Sequence, residues 1–477
     1  MVFSSFIFLV FFLPAFLLVY HLLPKNALWR NPFILIASFL FYSWDEPRFV
    51  LIVLLTTILD FFIVGKIGEA RNLIKRRLWL VLSLLLNVGL LFYFKYANFF
   101  VDNLNTILHL FGSEGFTLAK ILLPAGISFF TFESITYAVD IYRGEHRPLK
   151  KFWHYQQYII FFPKLVAGPI IRYTDMADQI TGHVQQETAY NKLLGFARFC
   201  IGLGKKVFIA NTMAAQADAI FNLPSQEVNT LMAWIGILAY TFQIYFDFSG
   251  YSDMAIGLSR ILGFRIAENF NNPYTSGSVT AFWRRWHITL GTWMRNYLYI
   301  PLGGNRVAGS RVYLNLLIVF LISGFWHGAS WNFILWGAYH GFFLTVERLI
   351  FSSGFKSRIK LLNTGYTFLV VLTGWVLFRT ETLGEAASYY QCMFSFTSHA
   401  EGLFYLNTGF LPWLAIAAVF SFCTYIPGVD RFQQHFFTGK PGNLLVATAS
   451  VAGLLIYLIS VIYLSGDGYN PFIYFNF

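Results

Sequence analysis

Apolar runs of bilayer-spanning length recur from one end of this chain to the other. A span needs about 20 residues of mostly apolar helix. The first run opens MVFSSFIFLVFFLPAFLLVYHLL. It has no basic start and no small-residue cleavage site, so it reads as a retained helix and not a signal peptide. Further runs lie near 32–44, 49–64, 78–94, 121–139, 193–221, 230–248, 312–325, 331–350, 361–378, 408–426 and 444–464. Several are short for a full crossing, as expected where the bilayer is thinned or helices pack inside protein. No repeat or low-complexity linker divides the 477 residues. The pattern predicts one all-α integral domain over 1–477, with a motif-bearing core at about 90–378 and C-terminal helices at 379–477.

Composition agrees. Charged residues make up 12% and hydrophobic ones 57%, against about 25% charged in soluble domains. A soluble fold of this size cannot bury so much apolar surface. That excludes an ordinary cytosolic enzyme, a disordered scaffold and a secreted disulfide domain. Cys200, Cys392 and Cys423 lie far apart and suit neither a disulfide framework nor zinc. The net charge of +11 sits in short clusters between apolar runs. It reads as positive-inside topology, not as nucleic-acid binding.

Those clusters orient the chain. Lys66, Arg71, Lys75, Arg76 and Arg77 face one acid, and Arg143, Arg147, Lys150 and Lys151 face two. Both segments are expected in the cytoplasm, which leaves 45–48, 102–120 and the N-terminus outside. Segment 249–311 holds seven arginines against Asp253 and Glu268 and is also expected inside. Alternation then requires 152–171 not to cross. With Pro163, Lys164, Gly168 and Pro169 it reads as re-entrant, which membranes tolerate where backbone is buried in protein. Lys356, Arg358 and Lys360 then fall inside, and Glu381, Glu385 and Glu401 outside.

Polar residues at membrane depth mark candidate chemistry. In YTFQIYFDFSGYSD (240–253), Asp247 and Ser249 are candidates to line a polar cavity, or Asp247 and Asp253 pair with nearby arginines. In TAFWRRWHITLGTWMRNYLYIPLGGNR (280–306), Phe282, Trp286, Leu290, Trp293 and Tyr297 recur at helical spacing, with Arg284, His287 and Arg295 on another face. This suits an interfacial helix with snorkelling arginines. Gly303, Gly304, Asn305 and Arg306 follow, a small-residue turn beside cations that suits a phosphate equally well. In LISGFWHGASWNFILWGAYHG (321–341), His327 follows a short apolar run and lies beside Trp326, between Gly324 and Gly328. An imidazole there can serve as a general base near neutral pH. His340 reads as a helix–helix hydrogen bond. A His287/His327/His340 metal site lacks a carboxylate or thiol at ligand spacing, so no metal is expected.

At these motifs the sequence resembles the membrane-bound O-acyltransferase family, in its bacterial subgroup that O-acetylates polysaccharides such as alginate and peptidoglycan. The matching stretches include YFKYANFF (93–100), LLPAGISFFTFESITYAVDIYRGE (122–145), FPKLVAGPIIRY (162–173), YFDFSGYSDMAIGLSRILGFR (245–265), FWRRWHITLGTWMRNYLYIPLGGNR (282–306) and FWHGASWNFILWGAYHG (325–341). The resemblance implies His327 as the catalytic histidine and His287 as a second functional one. It implies about 11–12 transmembrane helices, with re-entrant and amphipathic helices, around a central tunnel in the bacterial inner membrane.

The expected reaction is acyl transfer across that membrane, with no permanently bound cofactor. A cytoplasmic thioester, acetyl-CoA, donates. Arg284, Arg285 and Arg306 meet its phosphates. Asp247, Ser249, Trp326 and Asn305 line the tunnel. His327 deprotonates the acceptor, and His287 donates to the oxyanion. The partner is an extracytoplasmic acetyltransferase that passes the acetyl group to a polysaccharide. The rivals are a D-alanyl transferase of teichoic acids and an acyl-donor transporter without chemistry. A transporter would be expected to carry inverted repeats, and none is evident.

Overall fold

The computed structural model describes residues 1–44, 47–352, 359–396, 406–466 and 469–473. Lys356, Arg358 and Glu401 lie outside the described residues. Every regular element among those described is helical. Six helices are long and apolar enough to cross a membrane: Pro47–Glu69, Leu73–Leu110, Thr230–Ile261, Gly309–His327, Lys360–Arg379 and Asn443–Gly466. A seventh is possible if the pair Phe410–Tyr425 and Val429–Phe437, bent by 95°, forms one span. The protein is an all-α integral membrane protein. Expected runs 1–23 and 121–139 fold as the shorter helices Phe8–Leu22 and Ile127–Arg143, and 32–44 falls in the 17-residue helix Ala27–Ser43.

Contacts divide the chain into two compact units. The first comprises Met1–Val2, Ile7–Thr188 and Leu262–Ile266, and the second Phe3–Phe6, Ala189–Ile261 and Ala267–Phe477. In the first, segment 152–171 is a helix only over Phe152–Ile160. Nine residues rise about 14 Å, under half of the ~30 Å hydrocarbon core. The chain then turns through buried backbone, where Lys164 pairs with buried Glu133. Ile127–Arg143 starts six residues later than the apolar run. Gly126 sits at φ +74°, where a Cβ would meet the Leu165 carbonyl oxygen at 2.6 Å.

The second unit is built around Thr230–Ile261, 32 residues that are largely buried. The apolar run read from sequence ends at Phe248, just before Ser249, Gly250 and Asp253. The helix continues because both features are accommodated. Asp253 is met by Arg198 at 2.6 Å and Lys205 at 2.6 Å, from the neighbouring run 189–221. The glycines let the two backbones touch. A Cβ on Gly250 would meet the Gly202 carbonyl oxygen at 2.7 Å, and one on Gly257 that of Gly195 at 2.5 Å. Glycines seven residues apart on each of two antiparallel helices thus form two contacts along one seam.

The region after residue 379 adds the helices Leu383–Phe394 and Val429–Phe437, which the sequence reading missed. It also returns a tail to the core. Phe472 and Ile473 are buried, Phe472 stacks on Tyr251 at 5.0 Å, and Asn470 Nδ2 donates to the Ser4 carbonyl at 2.9 Å.

Candidate active site

The segment 280–306 does not form the continuous amphipathic helix that its spacing predicts. It is a short helix Val279–Trp283, a turn, a second helix Ile288–Trp293 and a π turn Met294–Tyr299. Glu347 anchors the first helix, its carboxylate accepting from the backbone N–H of Val279 at 2.6 Å and of Thr280 at 3.0 Å. The break falls on His287, which has φ +46° at the N-cap of the second helix. A left-handed non-glycine residue costs about 1–2 kcal/mol, so the surroundings must hold it there. Asn269 does so. Its backbone carbonyl accepts from Ile288 N–H at 2.9 Å, and its side-chain oxygen lies 3.0 Å from His287 Nδ1.

This segment, Gly309–His327 and Trp331–Ser352 together wall a cavity of about 970 Å³. The last two helices close on each other through Gly324 and Gly337. A Cβ on Gly324 would meet the Phe333 carbonyl oxygen at 2.1 Å, and one on Gly337 that of Phe320 at 2.3 Å. His327 is the last residue of a 19-residue helix, longer than the short run expected before it. Its ring packs edge-on against Trp326 at 4.9 Å, Trp336 at 5.3 Å and Phe378 at 5.1 Å.

Of the residues singled out from sequence, His327, His287, Arg284 and Asn305 line this cavity. Trp326 is not a lining residue; it is buried and packs on both His327 and His287, the latter at 6.2 Å. Arg285 is turned towards Thr275 Oγ1 at 3.3 Å, and neither it nor exposed Arg306 lines the wall. Ser249 lines a different cavity, of about 200 Å³, with Arg198, Asp253 and Asn269. Asp247 lines neither. It forms a buried ion pair with Lys206 at 2.7 Å and accepts the Ile473 N–H at 2.9 Å. His340 makes no helix–helix hydrogen bond among the described residues; it sits edge-on between Trp283 at 4.8 Å and Trp336 at 5.1 Å. Among the described residues no group of three His, Cys, Asp or Glu side chains is placed to hold a metal ion.

Two cavity residues escaped the sequence reading. Arg348 closes an apolar run and looks like a flanking cation, yet its guanidinium donates to Asn305 Oδ1 at 3.2 Å. Glu347 looks like its ion-pair partner but is engaged in capping. Arg295, placed by spacing on the face of His287, also lines the wall. Three exposed arginines therefore border the cavity, and its one lining carboxylate already accepts three hydrogen bonds. That wall suits an anion. Deeper in, two buried imidazoles stand among aromatic rings. Burial pushes His287 down to about 3, so its ring is neutral near pH 7.

The model of the membrane-bound O-acyltransferase family matches residues 145–367. The chain is 42% identical to the probable alginate O-acetylase AlgI of Azotobacter vinelandii, with all of both chains covered. It is 38% identical to the peptidoglycan O-acetyltransferase of Helicobacter pylori over 81% of this chain and 78% of that one. To the teichoic acid D-alanyltransferase of Bacillus subtilis it is 31% identical over 46% of this chain and 58% of the other. Full-length similarity at this level, with both motif histidines in one cavity, makes this chain a member of the membrane-bound O-acyltransferase family.

Proposed function

We propose that this protein transfers an acetyl group from a cytoplasmic thioester, acetyl-CoA, through the bacterial inner membrane for O-acetylation of an extracytoplasmic polysaccharide. The observation that carries the reading is one cavity holding His327 and His287 beneath Arg284, Arg295 and Arg348. The arginines receive the donor's phosphates. The acceptor oxygen attacks the thioester carbonyl, a C–O bond forms and the C–S bond breaks. The hydroxyl proton passes to the His327 imidazole and from there to the departing thiolate. The acceptor is an extracytoplasmic acetyltransferase that hands the group to a polysaccharide; alginate and peptidoglycan are the polymers in the names of two relatives.

The D-alanyl alternative fits less well. A D-alanyl group carries an ammonium, and the one lining carboxylate, Glu347, is held by backbone N–H groups and Thr280. A neutral acetyl group needs no counter-charge. Thioester cleavage by purified protein supplied with acetyl-CoA, absent in His327→Ala, tests the reading. A protein that moves the donor without cleaving it would be a transporter instead.

A further inference from the structure

We propose that Asn269 is a positioning residue that locks His287 as the tautomer protonated on Nδ1, so that Nε2 is a bare lone pair and His287 accepts protons or hydrogen bonds from the reactants. The role of the cavity rests on the acyl-transfer reading; the tautomer itself does not.

The amide orientation is fixed by its neighbours. Asn269 is fully buried. Its Oδ1 accepts from the Thr289 backbone N–H at 3.3 Å and from Thr289 Oγ1 at 2.9 Å, and its Nδ2 donates to Ser252 Oγ at 3.1 Å. Turning the amide over would set its NH₂ against the Thr289 N–H, donor against donor. An oxygen therefore faces His287 Nδ1 at 3.0 Å, and that nitrogen must carry hydrogen. A neutral imidazole has only one N–H. Nε2 is buried and makes no hydrogen bond among the described residues. The rings facing His287 are Phe248, edge-on at 4.7 Å from Thr230–Ile261, and Trp326 from Gly309–His327. Neither titrates, so nothing on those sides opposes the lock.

Backbone geometry supports the same pairing. Asn271 N–H donates to the Arg285 carbonyl at 2.9 Å, and Ile288 N–H to that of Asn269, so 269–271 is laced to 285–288 on both sides of the left-handed His287. The consequence alters the role expected for His287. A neutral ring held this way has no proton to offer an oxyanion. The wall supplies a different donor in the indole N–H of Trp283, buried and without a hydrogen-bond partner among the described residues.

The test uses full-length protein labelled with ¹⁵N-histidine in bilayers, with the His287 signals identified by their loss in His287→Gln. Between about pH 6 and 8, the expected result is a proton bonded to Nδ1 and none on Nε2. Asn269→Asp keeps the acceptor and should keep the tautomer, while its carboxylate stabilises the imidazolium and moves the acid limb of the thioester-cleavage profile to higher pH. Asn269→Leu should bring Nε2–H into the spectrum and lower kcat by about tenfold or more with little change in KM. A proton on Nε2 of the wild-type ring, or wild-type kcat in Asn269→Leu, overturns the proposal. If Asn269→Leu fails to accumulate, an unmoved profile in Asn269→Asp overturns it equally. A locked tautomer in a protein that cleaves no thioester would sustain the lock and remove the acyl-transfer reading alone.

Discussion

His327 and His340 are both buried imidazoles set edge-on against tryptophan, yet only His327 lines the large cavity. His327→Ala should lower acetate per polymer unit, normalised to membrane-inserted protein, by about 10²–10⁴-fold, the usual loss with a general base. His340→Ala should reduce folded yield and leave activity per molecule near normal; reversed results would move the base to His340. Arg284→Ala and Arg348→Ala should each weaken apparent affinity for the thioester donor by about tenfold, since a charge-assisted hydrogen bond contributes roughly 1.5–3 kcal/mol. Arg306→Ala, away from the wall, should change it far less. Unchanged donor dependence in both cavity variants would leave these arginines as interfacial anchors. At this scale local motifs single out His287, His327 and Arg284, and all three line one cavity. Asn269 was not legible, because its meaning lies in bonds to Ser252 and to Thr289, 17 and 20 residues away.

Helix boundaries were legible where lipid sets them and not where protein does. Hydropathy stops at Phe248, while the helix runs 13 residues further to Ile261, because Asp253 is neutralised from another helix and the glycines are contact points, not breaks. The reverse error occurs at 280–306, where aromatic spacing hides the break at His287. The glycine seam makes a prediction of its own. Gly202→Val would place its Cβ 2.4 Å from the Gly250 carbonyl oxygen. Overpacking of this kind costs about 1–3 kcal/mol or more. Thermal stability in detergent should therefore fall, whereas Gly89→Val, which has open space around it, should leave stability near wild type.

For the whole molecule, the all-helical membrane class was legible from apolar runs alone, while helix lengths were not, because hydropathy does not show where a run such as 121–139 gives way to a turn at Gly126. Positive-inside reasoning leads to the expectation that 249–311 faces the cytoplasm, although 249–261 continues the helix Thr230–Ile261. Gly309→Cys, exposed at the start of its helix, should resist an impermeant thiol reagent in intact cells and react once they are opened. Labelling from outside would overturn the orientation.

The tail that returns to Asp247 and Ser4 bears on how the protein is made. Asn470 and Ser4 are bonded across 466 residues, and Ile473 supplies the N–H that buried Asp247 accepts. The ribosome adds about 5–20 residues per second, so the Ser4 segment waits tens of seconds for the Asn470 segment that packs with it. Until then the Lys206–Asp247 pair lacks the Pro471 carbonyl and the Ile473 N–H that it also meets, and the Phe3–Tyr251 stack lacks the Phe472 ring. A chain lacking residues 469–473 would leave Asp247 without the Ile473 N–H, Tyr251 without the Phe472 ring and Ser4 without Asn470, so the seam between these distant segments stays open until both are present.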